Sequence, residues 1–289
     1  MTIRTRAELY LLSCTLIWGG TFVVVKGGLD DSSPLLFVAI RFAIATLLFL
    51  PFVVRNLGSM TRKTLEGGLV VGFLLFLGFV FQTVGLTYTT ASKSGFITGL
   101  LVVFTPVFQV LIERRAPKAG NVIGVVLVTA GLYLLTSPEG SEFNVGDLLT
   151  LFCAAVFGLY IVYLDIYTKQ GDVWQIVFLQ FVVTAVGAAL WAVFFEEMFL
   201  DLTPGLWGAL AYLSLLATLY TLTVQTRYQK ETTPTRAAVI FSIEPVFAAV
   251  IAYVALGERI GLLGVIGGGV VVGGLLVSEL SDVFFMKGD

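Results

Sequence analysis

Ten apolar segments, each about as long as a lipid bilayer is thick, follow one another along this 289-residue chain. They lie near 7–28, 35–54, 66–87, 93–112, 119–137, 146–168, 173–195, 205–228, 234–256 and 261–280. A bilayer core offers no partner for an unpaired backbone N–H or C=O, and these segments are too long for barrel strands, so each is expected to be a helix. Charged residues make up only 12% of the chain, about half of the roughly 25% usual in soluble domains. The mean hydropathy is +0.97. The links are short and carry turn signals, as in Asp30-Asp31-Ser32-Ser33-Pro34, Ser137-Pro138-Glu139-Gly140 and Leu202-Thr203-Pro204-Gly205. They leave no room for a soluble domain. The expected fold class is an all-α membrane protein of ten transmembrane helices.

Several function classes fall away on residue types alone. The chain has no histidine, so no Ser-His-Asp or Cys-His catalytic arrangement, no His-ligated metal and no histidine pH switch can be built from it. Its two cysteines, Cys14 and Cys153, both lie inside apolar runs and suggest neither a disulfide nor a thiolate metal site. Net charge is −2, which gives no electrostatic case for nucleic acid. Gly267-Gly268-Gly269 has neither the preceding strand nor the following Lys-Ser/Thr of a nucleotide loop. No metal or cofactor is expected. Arg4 and Arg6 precede a first apolar run that is long for a cleavable signal, so it is read as the first span.

Basic residues set the expected orientation. With the N-terminus inside, thirteen of the seventeen Lys and Arg fall on the inner side, Arg62, Lys63, Arg114, Arg115 and Lys287 among them, while acids such as Glu139, Glu142, Glu196 and Glu197 collect outside. Both termini are then cytoplasmic. Sliding the chain on itself by 139 positions lays Leu9 on Leu148, Leu12 on Leu151, Cys14 on Cys153, Gly19 on Gly158, and Pro106-Val107-Phe108 on Pro245-Val246-Phe247. Two units follow, 1–139 and 140–289, of five helices each. Five is odd, so the second unit runs upside down, the arrangement typical of transporters that open one central site to each side in turn.

The stretch Ile17-Trp18-Gly19-Gly20-Thr21-Phe22, with Lys26, Pro34 and Arg41 after it, Pro106, Glu244-Pro245 and Leu256-Gly257-Glu258-Arg259, resembles the drug/metabolite transporter superfamily. Within it the chain is similar to ten-helix bacterial EamA-type exporters, including those that expel amino acids and related metabolites. One departure is visible: Glu258 follows Pro245 by thirteen positions, but Glu113 follows Pro106 by seven. The first half is shortened there. The resemblance implies a multi-pass protein of the bacterial cytoplasmic membrane.

An ionisable group at membrane depth costs on the order of 2.5–3.5 kcal/mol and needs a partner or a wet cavity. Glu244 is the clearest instance, beside Pro245 near the middle of the ninth span. It either pairs with a neighbouring cation or binds a substrate ammonium group or a coupling proton. Pro106 and Pro245 remove backbone bonds and crowd the carbonyls of Val102 and Phe241, so both are candidate kinks. Arg41, inside the second span, is expected to form a structural ion pair. Trp18 and Thr21 in the first span, Gln82 in the third, Tyr160 and Tyr163 in the sixth, Tyr220 and Gln225 in the eighth complete the candidate substrate-binding set. Each also has a plain reading as a packing or interhelical hydrogen-bonding residue. Lys26 and Asp165 are read as anchors near span ends, Lys93 as a solvated loop residue, and Gln109 and Gln180 as packing residues. Trp174, Trp191 and Trp207 suit interfacial belts. Glycine pairs such as Gly68/Gly72 and Gly120/Gly124 suit helix packing.

The expected activity is secondary transport, exporting small organic solutes, aromatic or other amphipathic amino acids or related metabolites, from a cavity lined by spans 1, 3, 4, 6, 8 and 9. Expected partners are a small-molecule substrate, the lipid bilayer and a coupling proton, with no nucleic acid. A nucleotide-sugar or sugar-phosphate exchanger is the alternative within the superfamily, and should need several buried cations. An intramembrane enzyme is disfavoured because paired aspartates or a Ser-His dyad are missing at depth. A receptor or scaffold has no need of an upside-down duplication.

Overall fold

Threonines start many of these helices. The first N–H groups of a helix have no partner within it, and at a membrane boundary a side-chain oxygen supplies one. Thr2, Thr61, Thr90, Thr203 and Thr233 each accept a hydrogen bond from the backbone N–H three residues on, as does Asp172, while Asn144 and Asp147 cap one helix reciprocally. Pro34, Pro204 and Pro234 stand in the first helical turn, where the missing N–H costs nothing.

The computed structural model describes residues 2–114, 116–136, 143–256 and 261–285. The first span is α1 (Ile3–Trp18) and α2 (Thr21–Gly28), interrupted at Gly19-Gly20. The second and third are α3 (Pro34–Val53) and α4 (Arg62–Tyr88). The fourth is split into α5 (Ala91–Gly99) and α6 (Leu101–Glu113), and the fifth is α7 (Ala119–Thr136). Then come α8 (Val145–Thr168) and α9 (Val173–Phe195). The eighth span begins as α10 (Pro204–Ala211), widens into a π-helix over Tyr212–Tyr220 and returns to α11 (Thr221–Tyr228). The ninth is broken into α12 (Pro234–Phe241) and α13 (Glu244–Leu256), and α14 (Leu262–Phe285) is the tenth. Eight of the spans are long and apolar enough to cross a bilayer on the described residues, and two shorter apolar stretches, Ala119–Leu134 and Leu262–Ser278, accompany them. At 1.5 Å per residue, the 18 residues of α7 reach about 27 Å. The Ser137–Gly140 turn, Arg115, Glu139, Glu142, Glu258, Arg259 and Lys287 lie outside the described residues.

Helix packing repeats itself when the halves are exchanged. α3 lies on α9, and α7 on α14. α4 on α8 is matched by α1 on α11, and α6 on α8 by α12 and α13 on α1. Lipid tails are as apolar as leucine, so these contacts rest on close packing rather than on expelling water. Glycine makes that possible. A Cβ at Gly19 would stand 2.9 Å from Phe247 Cβ and 3.0 Å from the Ala248 backbone N, and one at its repeat mate Gly158 would stand 2.9 Å from Phe104 Cβ and 3.1 Å from the Thr105 N. On one face the loops also join: Glu196 accepts the Leu35 N–H at the start of α3, and the Asp201 N–H bonds the Asp31 carbonyl at 2.8 Å.

Candidate functional site

The interrupted helices meet. Gly19 lies against the start of α13, and the Ser242 hydroxyl in the break of the ninth span, 2.8 Å from the Ala238 carbonyl, also lies 3.2 Å from the Gly99 carbonyl at the break of the fourth. Beside this junction is a cavity of about 80 Å³, enough for roughly six waters at 10–15 Å³ each. Thr21, Leu101 and Glu244, the first residues of α2, α6 and α13, all line it. Three half-helix starts therefore border one space.

Its walls come from the six expected spans and from the second. α1 contributes Trp18, and α4 contributes Leu75, Phe79, Gln82 and Leu86, spaced along one helical face. α8 adds Phe157, Tyr160 and Ile161, and α11 adds Leu222 and Gln225. Trp18, Thr21, Gln82, Tyr160, Gln225 and Glu244 are thus brought together, and Arg41 joins them. Tyr163 and Tyr220 are not. On α8 the cavity takes 157, 160 and 161, a set that turns residue 163 away, and Tyr163 stacks on Tyr167 instead. Tyr220 ends the π-helix, whose wider turns rotate the following face. It is 38% exposed, with its hydroxyl 3.0 Å from Ser13 Oγ.

The polar groups of the cavity divide into tethered and open. Tyr160 donates to Gln180 Oε1 at 3.0 Å and Gln180 donates to Thr226 Oγ1 at 2.9 Å, so Gln180 is a link between spans rather than inert packing. Gln225 donates to Gln229 Oε1 at 3.0 Å, and Gln229 to the Ile161 carbonyl at 2.8 Å. Thr21 spends its proton on the Trp18 carbonyl at 2.8 Å. No hydrogen bond or ion pair to a described residue engages Gln82 or Glu244, although both are partly buried against the cavity.

Arg41 corrects an expectation. Among the described residues it forms no ion pair, although it is 3% exposed. Its Nε donates to Thr218 Oγ1 and its Nη2 to the Ala217 carbonyl at 3.0 Å, and the guanidinium lies 4.9 Å from the Phe79 ring centre. The π-helix explains how. Its altered backbone pattern presents the Ala217 carbonyl sideways, where it accepts from Arg41, from Trp18 Nε1 at 3.2 Å and from Thr221 Oγ1 at 2.8 Å. Nothing in the residue order signals such a widening. Lysine cannot reproduce the two directed bonds, so Arg41→Lys is expected to cost about 2 kcal/mol, read as a lowered melting temperature of the purified protein.

Two further expectations change. The fourth span breaks at Leu100 and runs through Pro106 as helix, while the ninth breaks directly before Glu244-Pro245. The two prolines are therefore not equivalent kinks. Glycine and the Ser242 contact sit at the break of the fourth span, and a proline six residues on is absorbed within the helix. Lys93 is no solvated loop residue: its Nζ is 2.6 Å from Asp147 Oδ2, and Asp147 is fully buried. Lys26 donates to the carbonyls of Leu86 and Thr89 at 2.6 and 3.1 Å. Asp165 is buried beside Lys169, 2.6 Å away. The aromatic walls Phe22, Phe79, Phe157 and Phe241 were missed, because phenylalanine is as common on lipid-facing positions.

Residues 5–137 and 144–280 each match the EamA-like transporter family. A protein of Archaeoglobus fulgidus described as an uncharacterized transporter is 35% identical over 255 residues, covering 88% of this chain and 80% of its own length. A solved crystal structure superposes with a TM-score of 0.80 at 19% identity, over 96% of this chain and 98% of that one, and shares the fold.

Proposed function

Since the chain belongs to the EamA-like transporter family and is a multi-pass membrane transporter, we propose that it exports small organic solutes, amino acids or related amphipathic metabolites, by alternating access through the central cavity. The units 1–139 and 140–289 are inverted copies that rock about that cavity. The protein resides in a cytoplasmic membrane with both termini in the cytoplasm.

One observation carries the solute class. Glu244, a carboxylate with no hydrogen bond or ion pair to a described residue, and Arg41, a guanidinium with no acidic partner among the described residues, line the same aromatic-walled space. A zwitterion with an apolar side chain complements all three features: ammonium to Glu244, carboxylate towards Arg41 and the half-helix starts, side chain to the rings. A nucleotide sugar or sugar phosphate brings two or more negative charges, and Arg41 is the one cation among the described lining residues. That reading ranks second. Glu244 is also the proposed site of the coupling proton.

Counterflow in vesicles tests the proposal. Vesicles holding the purified protein and preloaded with unlabelled leucine or phenylalanine should accumulate the labelled amino acid transiently, and empty vesicles should not. Counterflow of sugar phosphates in place of amino acids would overturn the solute class. No counterflow of any solute in a broad panel would favour a receptor or scaffold.

A further inference from the structure

Two ion pairs, each with one buried member and one at each end of the bundle, share a local construction. Thr89-Thr90-Ala91-Ser92-Lys93 opens α5, and Thr232-Thr233-Pro234-Thr235-Arg236 opens α12. In each stretch the second threonine caps the helix: Thr90 accepts the Lys93 N–H at 3.2 Å, and Thr233 accepts the Arg236 N–H at 3.3 Å. In each the first threonine and the cation reach one carboxylate. Thr89 Oγ1 donates to Asp147 Oδ1 at 2.6 Å while Lys93 Nζ lies 2.6 Å from Oδ2. Thr232 Oγ1 donates to Glu8 Oε1 at 3.2 Å while Arg236 Nε lies 3.3 Å from the same oxygen, which also accepts from Arg4 Nε at 2.9 Å.

The carboxylates are repeat mates, because Glu8 falls on Asp147 in the 139-residue shift. Each pair ties a half-helix of one unit to the first span of the other: α5 to α8, and α12 to α1. Five spans separate Glu8 from Asp147, so the two pairs stand on opposite faces of the membrane. The far ends of the same half-helices, Thr98 on α5 and Phe241 on α12, line the cavity. With 9 and 8 residues, α5 and α12 span about 12–14 Å at 1.5 Å per residue. Each is a short lever from a charged latch at the membrane face to the cavity.

We propose that the two latches are the alternating gates of this transporter. Lys93–Asp147 with Thr89 holds α5 shut over one mouth, Arg236–Glu8 with Thr232 holds α12 shut over the other, and opening a mouth breaks its own latch while the opposite one stays formed. This rests on the alternating-access reading and not on the identity of the solute.

The test reads access to the cavity without any cargo. In protein carrying Cys14→Ser and Cys153→Ser, Leu75→Cys places one thiol in the cavity wall, and a membrane-impermeant maleimide is offered from either face of oriented vesicles. Asp147→Asn should speed labelling from the Asp147 face and slow it from the other, and Glu8→Gln should do the reverse, each by about fivefold or more. Asp147→Glu, which keeps the carboxylate, should stay closer to the parent ratio than Asp147→Asn does. Neutralising one partner of an ion pair that water does not fully reach also costs stability. If either single variant does not elute as a monodisperse protein, Thr89→Val and Thr232→Val, which strand no charge, should shift the ratio in the same opposed directions by a smaller factor. Labelling that changes equally from both faces, or not at all, would overturn the latches and leave the counterflow experiment to decide the solute.

Discussion

Replacing Glu244 by glutamine is expected to weaken the apparent affinity for ammonium-bearing solutes by about tenfold or more while leaving the protein at least as stable to heat. The carboxylate lies in the cavity wall with no hydrogen bond or ion pair to a described residue. A charge held at membrane depth without a partner costs on the order of 2.5–3.5 kcal/mol. Neutralising it relieves that cost, whereas removing a member of a structural ion pair would lower stability. Loss of a charged hydrogen bond to the solute is worth about 1.5–3 kcal/mol, or about tenfold and upward in apparent affinity. The pH dependence follows with a definite sign. Acidifying the side from which the cavity loads protonates Glu244 and removes the charge that receives the ammonium, so apparent affinity in the native protein should fall as pH falls. In Glu244→Gln it should be flat. Counterflow over a range of pH, run beside a melting curve, separates the outcomes; a variant that melts earlier and keeps the native pH profile would make Glu244 a structural residue.

The second large effect is expected at two glycines. Gly19→Val and Gly158→Val put methyl groups where even a Cβ would press on the Ala248 N at 3.0 Å and the Thr105 N at 3.1 Å. These are backbone atoms of α13 and α6, which cannot turn aside as a side-chain tip can. Overpacking of this kind costs roughly 1–3 kcal/mol, so each variant should melt markedly earlier and be recovered in lower yield. Gly208→Val is the control: nothing lies within 4 Å of a Cβ there, and its effect should stay within about 0.5 kcal/mol. Equal loss in all three would mean that β-branching within the helix, not the crossing of α1 over α13 and of α8 over α6, sets the cost.

Particular residues show how much was legible beforehand. The boundaries of the sixth and seventh spans, expected at 146–168 and 173–195 from the extent of the apolar runs, are Val145–Thr168 and Val173–Phe195, where Asn144 and Asp172 cap the helices. Glu244, Gln82 and Trp18 could be named as cavity residues because a polar or bulky group at depth demands an explanation. Tyr163 met the same criterion and failed it, since depth says nothing about direction around the helix. Arg41 was read as half of an ion pair because lone buried cations are costly. Its actual partners, a hydroxyl, a carbonyl and aromatic rings, depend on a π-helix more than a hundred residues away.

Length and apolarity alone dictate that this chain lies in a membrane as helices, since a bilayer admits no other way to pair so many backbone groups. The shift by 139 residues dictates that one five-span plan is used twice. Neither says which side of each helix looks inward. In a soluble protein the polar face would mark the outside, but here lipid and protein interior are equally apolar, and a phenylalanine suits both. The inward faces are chosen by shape: where glycine lets α1 and α13 touch, where three helices break beside Glu244, and where the π-helix turns a carbonyl towards Arg41. Those choices depend on contacts between distant segments, so they exist only once the helices are packed.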